Sequence, residues 1–149
     1  MIKKQSILLL LLLLVISCKN INNNIEERII DKINDCDNGN CTIEITQLTD
    51  FRWDKMFVFN EAQPPEEIEQ AIGSKYPYYE EFSRTIIFLY KHKIVHYENN
   101  ESDIETATDG SVIFDYPDSL KYKLYTPNNV KFRFKSIPFS KGTYYKLYQ

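Results

Sequence analysis

From Thr42 to the C terminus the chain runs through short segments rich in β-branched and aromatic residues, separated mostly by turns too brief to hold a helix. Thr42 to Leu48 alternates, with Ile43 and Ile45 flanking Glu44. Asp54 to Asn60 carries Met56, Phe57, Val58 and Phe59, apolar on both faces, which predicts a central strand. Phe82 to Glu98 reads as a hairpin: Thr85 to Tyr90 goes out, Lys91-His92-Lys93 turns, and Ile94 to Tyr97 returns. Asn99 to Asp103 reads as a polar loop and Asp109-Gly110 as a turn. Further strands are expected near Val112 to Phe114, Lys121 to Tyr125, Lys131 to Lys135 and Thr143 to Tyr148. Strands joined by short turns pair antiparallel, so the expected fold is α+β, a single mainly antiparallel β-sheet with one or two short helices.

The helices are legible from their stripes and ends. Ile21, Ile25, Ile29 and Ile33 recur every four residues, and Asn24 with Glu27 three later forms a capping box. Pro64-Pro65 opens a second helix with Glu66 and Glu67 in its first turn, Ile68, Ala71 and Ile72 as its stripe, and Gly73 as its C-cap. With 149 residues, 43% of them apolar, the chain is sized for one domain with a real core. Only 4 glycines are present, too few for Gly-rich phosphate loops.

The N terminus gives an address. Lys3 and Lys4 precede Ile7 to Ile16, an apolar run of ten residues. A helix needs about 20 apolar residues to span a bilayer, so the run fits the core of an export signal. It ends in Val15-Ile16-Ser17-Cys18. Here the sequence resembles bacterial lipoproteins, whose lipobox places an aliphatic, a permissive and a small residue before the Cys; Val15 stands where Leu is usual. The resemblance implies cleavage before Cys18, which becomes an acylated N terminus. Residues 1–17 are then a signal peptide, 18–24 a lipidated tether and 25–149 a single domain. The position after the Cys holds Lys19, not the Asp of inner-membrane retention, so the resemblance favours the outer membrane. Phe51 to Phe59 holds the only Trp and resembles a Trp-Asp-Lys strand motif of small uncharacterised bacterial envelope proteins, which implies no activity.

Cys36 and Cys41 are separated by four residues, and outside the cytoplasm that pair is expected to form a disulfide. Redox catalysis would use a Cys-x-x-Cys at a helix start, and Asp35 and Asp37 oppose a thiolate. The same acidic loop does not fit a calcium hand: with Gly39 at the sixth position, Cys36 takes the third and Ile45 the twelfth. The two histidines, His92 and His96, fall in or beside the hairpin turn without a zinc pattern around them. No nucleophile elbow is present. No metal or cofactor is therefore expected, and Trp53 is read as a core anchor.

Charge is segregated along the chain. Cys18 to Leu120 has 9 Lys or Arg against 21 Asp or Glu, a balance of −12, whereas Lys121 to Gln149 has 7 and none, a balance of +7. If Phe132 and Phe134 point inward, Lys131, Arg133 and Lys135 share the outer face; Lys121 and Lys123 likewise share one, and pairing of the two strands would crowd five cations together. The expected function is a non-catalytic binding or interaction module held to the membrane through Cys18, such as an immunity or inhibitor protein. Its basic residues would meet an acidic protein or anionic lipid headgroups, and the envelope address argues against nucleic acid. The alternative is an envelope hydrolase whose cleft forms only in three dimensions.

Overall fold

The computed structural model describes residues 24–36, 41–101 and 108–149. The signal segment, Cys18 and the tether before Asn24 lie outside the described residues.

Helix α1 (Ile25–Asn34) starts where the sequence places it: the Asn24 side chain accepts a hydrogen bond from the Glu27 amide at 2.8 Å, and Ile25, Ile29 and Ile33 are buried. The chain continues through β1 (Ile43–Glu44) and directly into a single helical turn, α2 (Ile45–Leu48). The strand expected over Thr42 to Leu48 is thus only two residues long. Ile43 and Ile45 both reach the core, but the backbone bends between them, and the side chains of Thr46 and Gln47 bond back to Glu44.

β2 (Lys55–Phe59) is central, as expected. It pairs with β3 (Ser83–Tyr90) on one side and β6 (Lys123–Tyr125) on the other, and β3 pairs with β4 (Lys93–Glu101), all antiparallel. Met56, Val58, Ile86 and Phe88 face one core; Phe57, Phe59, Ile87 and Leu89 face another, covered by α3 (Pro65–Ile72) through Ile68 and Ile72. α3 ends at Gly73, whose φ of 74° is the left-handed cap expected of glycine. Trp53 is buried in the first core and donates from Nε1 to Thr49 Oγ1 at 3.1 Å.

The remaining strands form a second sheet, so the expectation of one sheet is corrected to two of four strands each. Its order is β1, β7 (Lys131–Phe139), β8 (Gly142–Tyr148), β5 (Val112–Phe114). β5 and β8 run parallel; every other pair is antiparallel. Phe132, Leu147, Val112 and Phe114 turn inward against Met56, Val58 and Tyr125, with α1 packed into the same core. The layers therefore run from an outer face of the β7–β8 sheet, through the sheet and core, to the β2–β3 sheet and α3. A single sheet was the wrong expectation because the sequence marks strands but not the long-range crossovers that sort them.

Two boundaries also differ. Asn99 to Glu101, read as loop, belongs to β4, because Asn99 and Asn100 pair with Thr85 and Arg84 of β3. β7 runs to Phe139, past the Lys135 limit expected, because β8 pairs with it along that whole length.

Candidate functional site

Along β7 the alternation holds: Phe132 is buried and Phe134 packs against the core, while Lys131, Arg133 and Lys135 are exposed. Register fixes their neighbours. Glu44 stands opposite Lys131, Tyr148 opposite Arg133, Lys146 opposite Lys135 and Tyr144 opposite Ile137. The outer face thus interleaves four cations with Tyr144 and Tyr148, and Ile113 of β5 continues it beside Lys146. Lys135 and Lys146 are like charges placed directly across a strand pair, an unfavourable arrangement on its own. Each has a compensating contact: Lys135 Nζ lies 5.2 Å from the centre of the Tyr148 ring, and Lys146 Nζ is 2.8 Å from Asp115 Oδ1. The hydrogen bond to Asp115 holds the Lys146 ammonium above its usual range. Lys131 reaches Glu44 at 3.5 Å. Lys146, Tyr144 and Tyr148 are partly buried, whereas Lys131, Arg133 and Lys135 are exposed.

Lys121 and Lys123 are not brought to it. β6 joins the other sheet, where Lys123 is partly buried opposite Val58 and Lys121 pairs with Glu67 of α3 at 2.6 Å. The five cations divide between two sheets, and β6 and β7 are not partners.

A second cluster was missed in the sequence. His96, Glu98 and Asn100, at every second position of β4, turn toward the start of α1. The Glu98 carboxylate is buried beneath that helix end: Oε1 accepts from the Ile25 amide and lies 2.8 Å from His96 Nε2, and Oε2 is 3.4 Å from the Glu26 nitrogen. A carboxylate there complements both the unpaired first-turn amides and the positive helix end. The His96 ring stacks on Phe51 at 4.8 Å, and Asn24 donates to Asn100 at 3.2 Å. Alongside, Arg84 and Glu26 form a buried ion pair at 2.8 Å, with Arg84 also donating to the Val112 carbonyl and Glu26 accepting from the Val112 amide at 2.6 Å. The cluster borders an open cleft of about 250 Å³, whose lining includes Arg28, Asp50, Phe51, His96 and Tyr97 but, among the described residues, no Ser, Thr or Cys. The signal that could have revealed it is the period-two spacing of His96, Glu98 and Asn100, polar groups on a strand face that must meet something polar.

The Cys36 and Cys41 sulfurs lie within disulfide-bonding distance, with Cα atoms 5.8 Å apart, at the end of α1 and just before β1. A cross-link over so short a loop contributes about 2 kcal/mol in the chain-entropy account. Among the described residues no three His, Cys, Asp or Glu side chains gather to hold a metal, and no helix is long and apolar enough to cross a membrane.

Comparison of the chain with protein-family models, with curated proteins and with solved structures finds no match in any of the three.

Proposed function

We propose that this chain is a lipid-anchored protein of the cell envelope, acting as a non-catalytic interaction module through the outer face of its β7–β8 sheet. The observation that carries the reading is the composition of that face: Lys131, Arg133, Lys135 and Lys146 interleaved with Tyr144 and Tyr148, the first three cations exposed. Sheet faces that mix cations with amphipathic aromatics suit docking on an anionic surface. The hydrolase alternative would draw on His96 and Glu98. There the Glu98 carboxylate is engaged by the first turn of α1, and among the described residues no Ser, Thr or Cys lines the cleft beside His96; its one hydroxyl is the phenol of Tyr97. The interaction reading is therefore the better supported.

The anchor is tested by Cys18→Ser in the full-length chain. Loss of palmitate incorporation and release from the membrane fraction is the expected result. Unchanged labelling would refute the lipoprotein reading.

A further inference from the structure

We propose that the outer face of the β7–β8 sheet lies flat on the anionic headgroups of the same membrane that holds Cys18. The inference rests on the lipid-anchor reading above and gives it an orientation.

The first argument is reach. Six residue-to-residue steps lead from Cys18 to Asn24, and a chain of that length spans at most about 20 Å. The first turn of α1 bridges the two sheets: the Glu26 carboxylate accepts from the Val112 amide of β5, while Asn24 donates to Asn100 and the Ile25 amide to Glu98, both of β4. Adjacent packed layers stand about 10 Å apart, so a tether of this length allows the outer face of the β7–β8 sheet to meet the bilayer, and the choice between that face and the opposite one falls to charge. The tether cannot hold the domain far from that surface.

The second argument is the distribution of charge across the layers. The outer face carries Lys131, Arg133, Lys135 and Lys146, with Glu44 and Asp115 beside them. On the opposite side α3 carries Glu66, Glu67 and Glu69, of which Glu67 pairs with Lys121 and Glu69 with Lys75, and the segment leading to β3 adds Glu80 and Glu81, both exposed, so acids still outnumber the cations that meet them. An anionic plane attracts one side of this molecule and repels the other, which selects a single orientation.

The third argument is shape and composition. Beyond Ser136 and Tyr145 the hairpin of β7 and β8 is flanked only by the Asp109–Ser111 segment, which bonds to Thr143 and Tyr145, and its outer side presents Ile137, Phe139 and Tyr144, all partly exposed. Aromatic rings settle at the headgroup level, and lysine and arginine reach phosphates while their stems lie on apolar surface. A lipid plane demands little shape complementarity from the sheet, and the anchor keeps that plane at high effective concentration.

The test uses the acylated full chain inserted into preformed, protein-free vesicles of phosphatidylcholine alone, or with about a third phosphatidylglycerol. Lys131, Lys135 and Lys146 are footprinted with an amine reagent, with Lys75 as the reference: it follows α3, far from the face, and its side chain is 90% exposed. On the anionic vesicles the three lysines should label about five-fold more slowly than on the zwitterionic ones, and recover at high salt, while Lys75 does not change. In the Lys131→Gln, Arg133→Gln, Lys135→Gln variant the protection of Lys146 should be lost. Equal labelling on both vesicle types overturns the proposal. So does protection that appears only in native envelope, which would assign the face to an acidic protein. The mass of the N-terminal peptide reports the anchor separately: Cys18 without acyl chains removes the lipoprotein reading and this orientation with it.

Discussion

Glu26 sits between opposed demands. Its Oε1 accepts from Arg84 and from the Val112 amide, while Oε2 is buried without a hydrogen-bond partner among the described residues. Burial raises its pKa above the ordinary 4.5, outweighing the Arg84 guanidinium that pulls it down. The folded chain therefore binds this proton more tightly than the unfolded chain does. The stability Glu26 contributes is complete below about pH 4.5 and is lost as pH rises through the folded value. Urea titrations should show Glu26→Gln flattening the fall of stability with rising pH in that window; an unchanged slope would mean that another group sets it. Removing the cation is the harsher change. Arg84→Met leaves a buried carboxylate unpaired and should cost about 3–5 kcal/mol, and adding Glu26→Leu to it should restore part of the loss. A double variant less stable than Arg84→Met alone would show that the pair is favourable beyond its desolvation cost.

At the scale of elements, the β3–β4 hairpin turns on Lys91 and His92, with φ of 50° and 65°. Both lie in the left-handed region that Asn and Gly occupy at least cost, the geometry of a primed two-residue turn. Asp54 Oδ2 accepts from the Lys91 amide at 2.8 Å, a bond that a side-chain replacement leaves in place. Lys91→Asn with His92→Gly should therefore raise stability by about 1 kcal/mol, read as a higher urea midpoint with unchanged slope. A lower midpoint would show that the native side chains relieve the strain locally. The hairpin itself was legible because its strands are long, β-branched and separated by a brief polar turn. So were α1 and α3, where stripe, cap and breaker agree: Asn24 and Glu27 for one, Pro65 and Gly73 for the other. The Ile43–Ile45 alternation misled because two buried residues two apart fit a strand or a strand ending in a helical turn equally well. The tail of β4 was hidden by composition. Asn99 looks like loop, yet its Oδ1 accepts from Tyr76 and Thr85 and its Nδ2 donates to the Tyr78 carbonyl, so a polar residue is held in a strand by partners far away in sequence. The cleft at the start of α1 was hidden for the same reason: Glu98 meets Ile25 across 73 positions.

For the whole molecule, the segregation of charge along the sequence becomes partly a segregation across layers. The acidic stretch supplies α3 and its flanks, whereas the basic stretch divides between β6, inside the β2–β3 sheet, and β7–β8. Some of its cations serve neighbours within the fold: Lys121 meets Glu67, Lys146 meets Asp115, and Lys131 meets Glu44. These are exposed pairs, and exposed pairs contribute little to stability. Replacing Lys131, Arg133 and Lys135 together by Gln removes one such pair and the Lys135–Tyr148 contact, keeps Phe132 and Phe134 inward, and relieves the Lys135–Lys146 repulsion. Gains and losses of a few tenths of a kcal/mol nearly cancel, so the unfolding free energy should change by less than about 1 kcal/mol. That is the condition under which the variant's loss of membrane protection can be assigned to the surface. A fall of 2 kcal/mol or more would instead make these three cations part of what holds the β7–β8 sheet together.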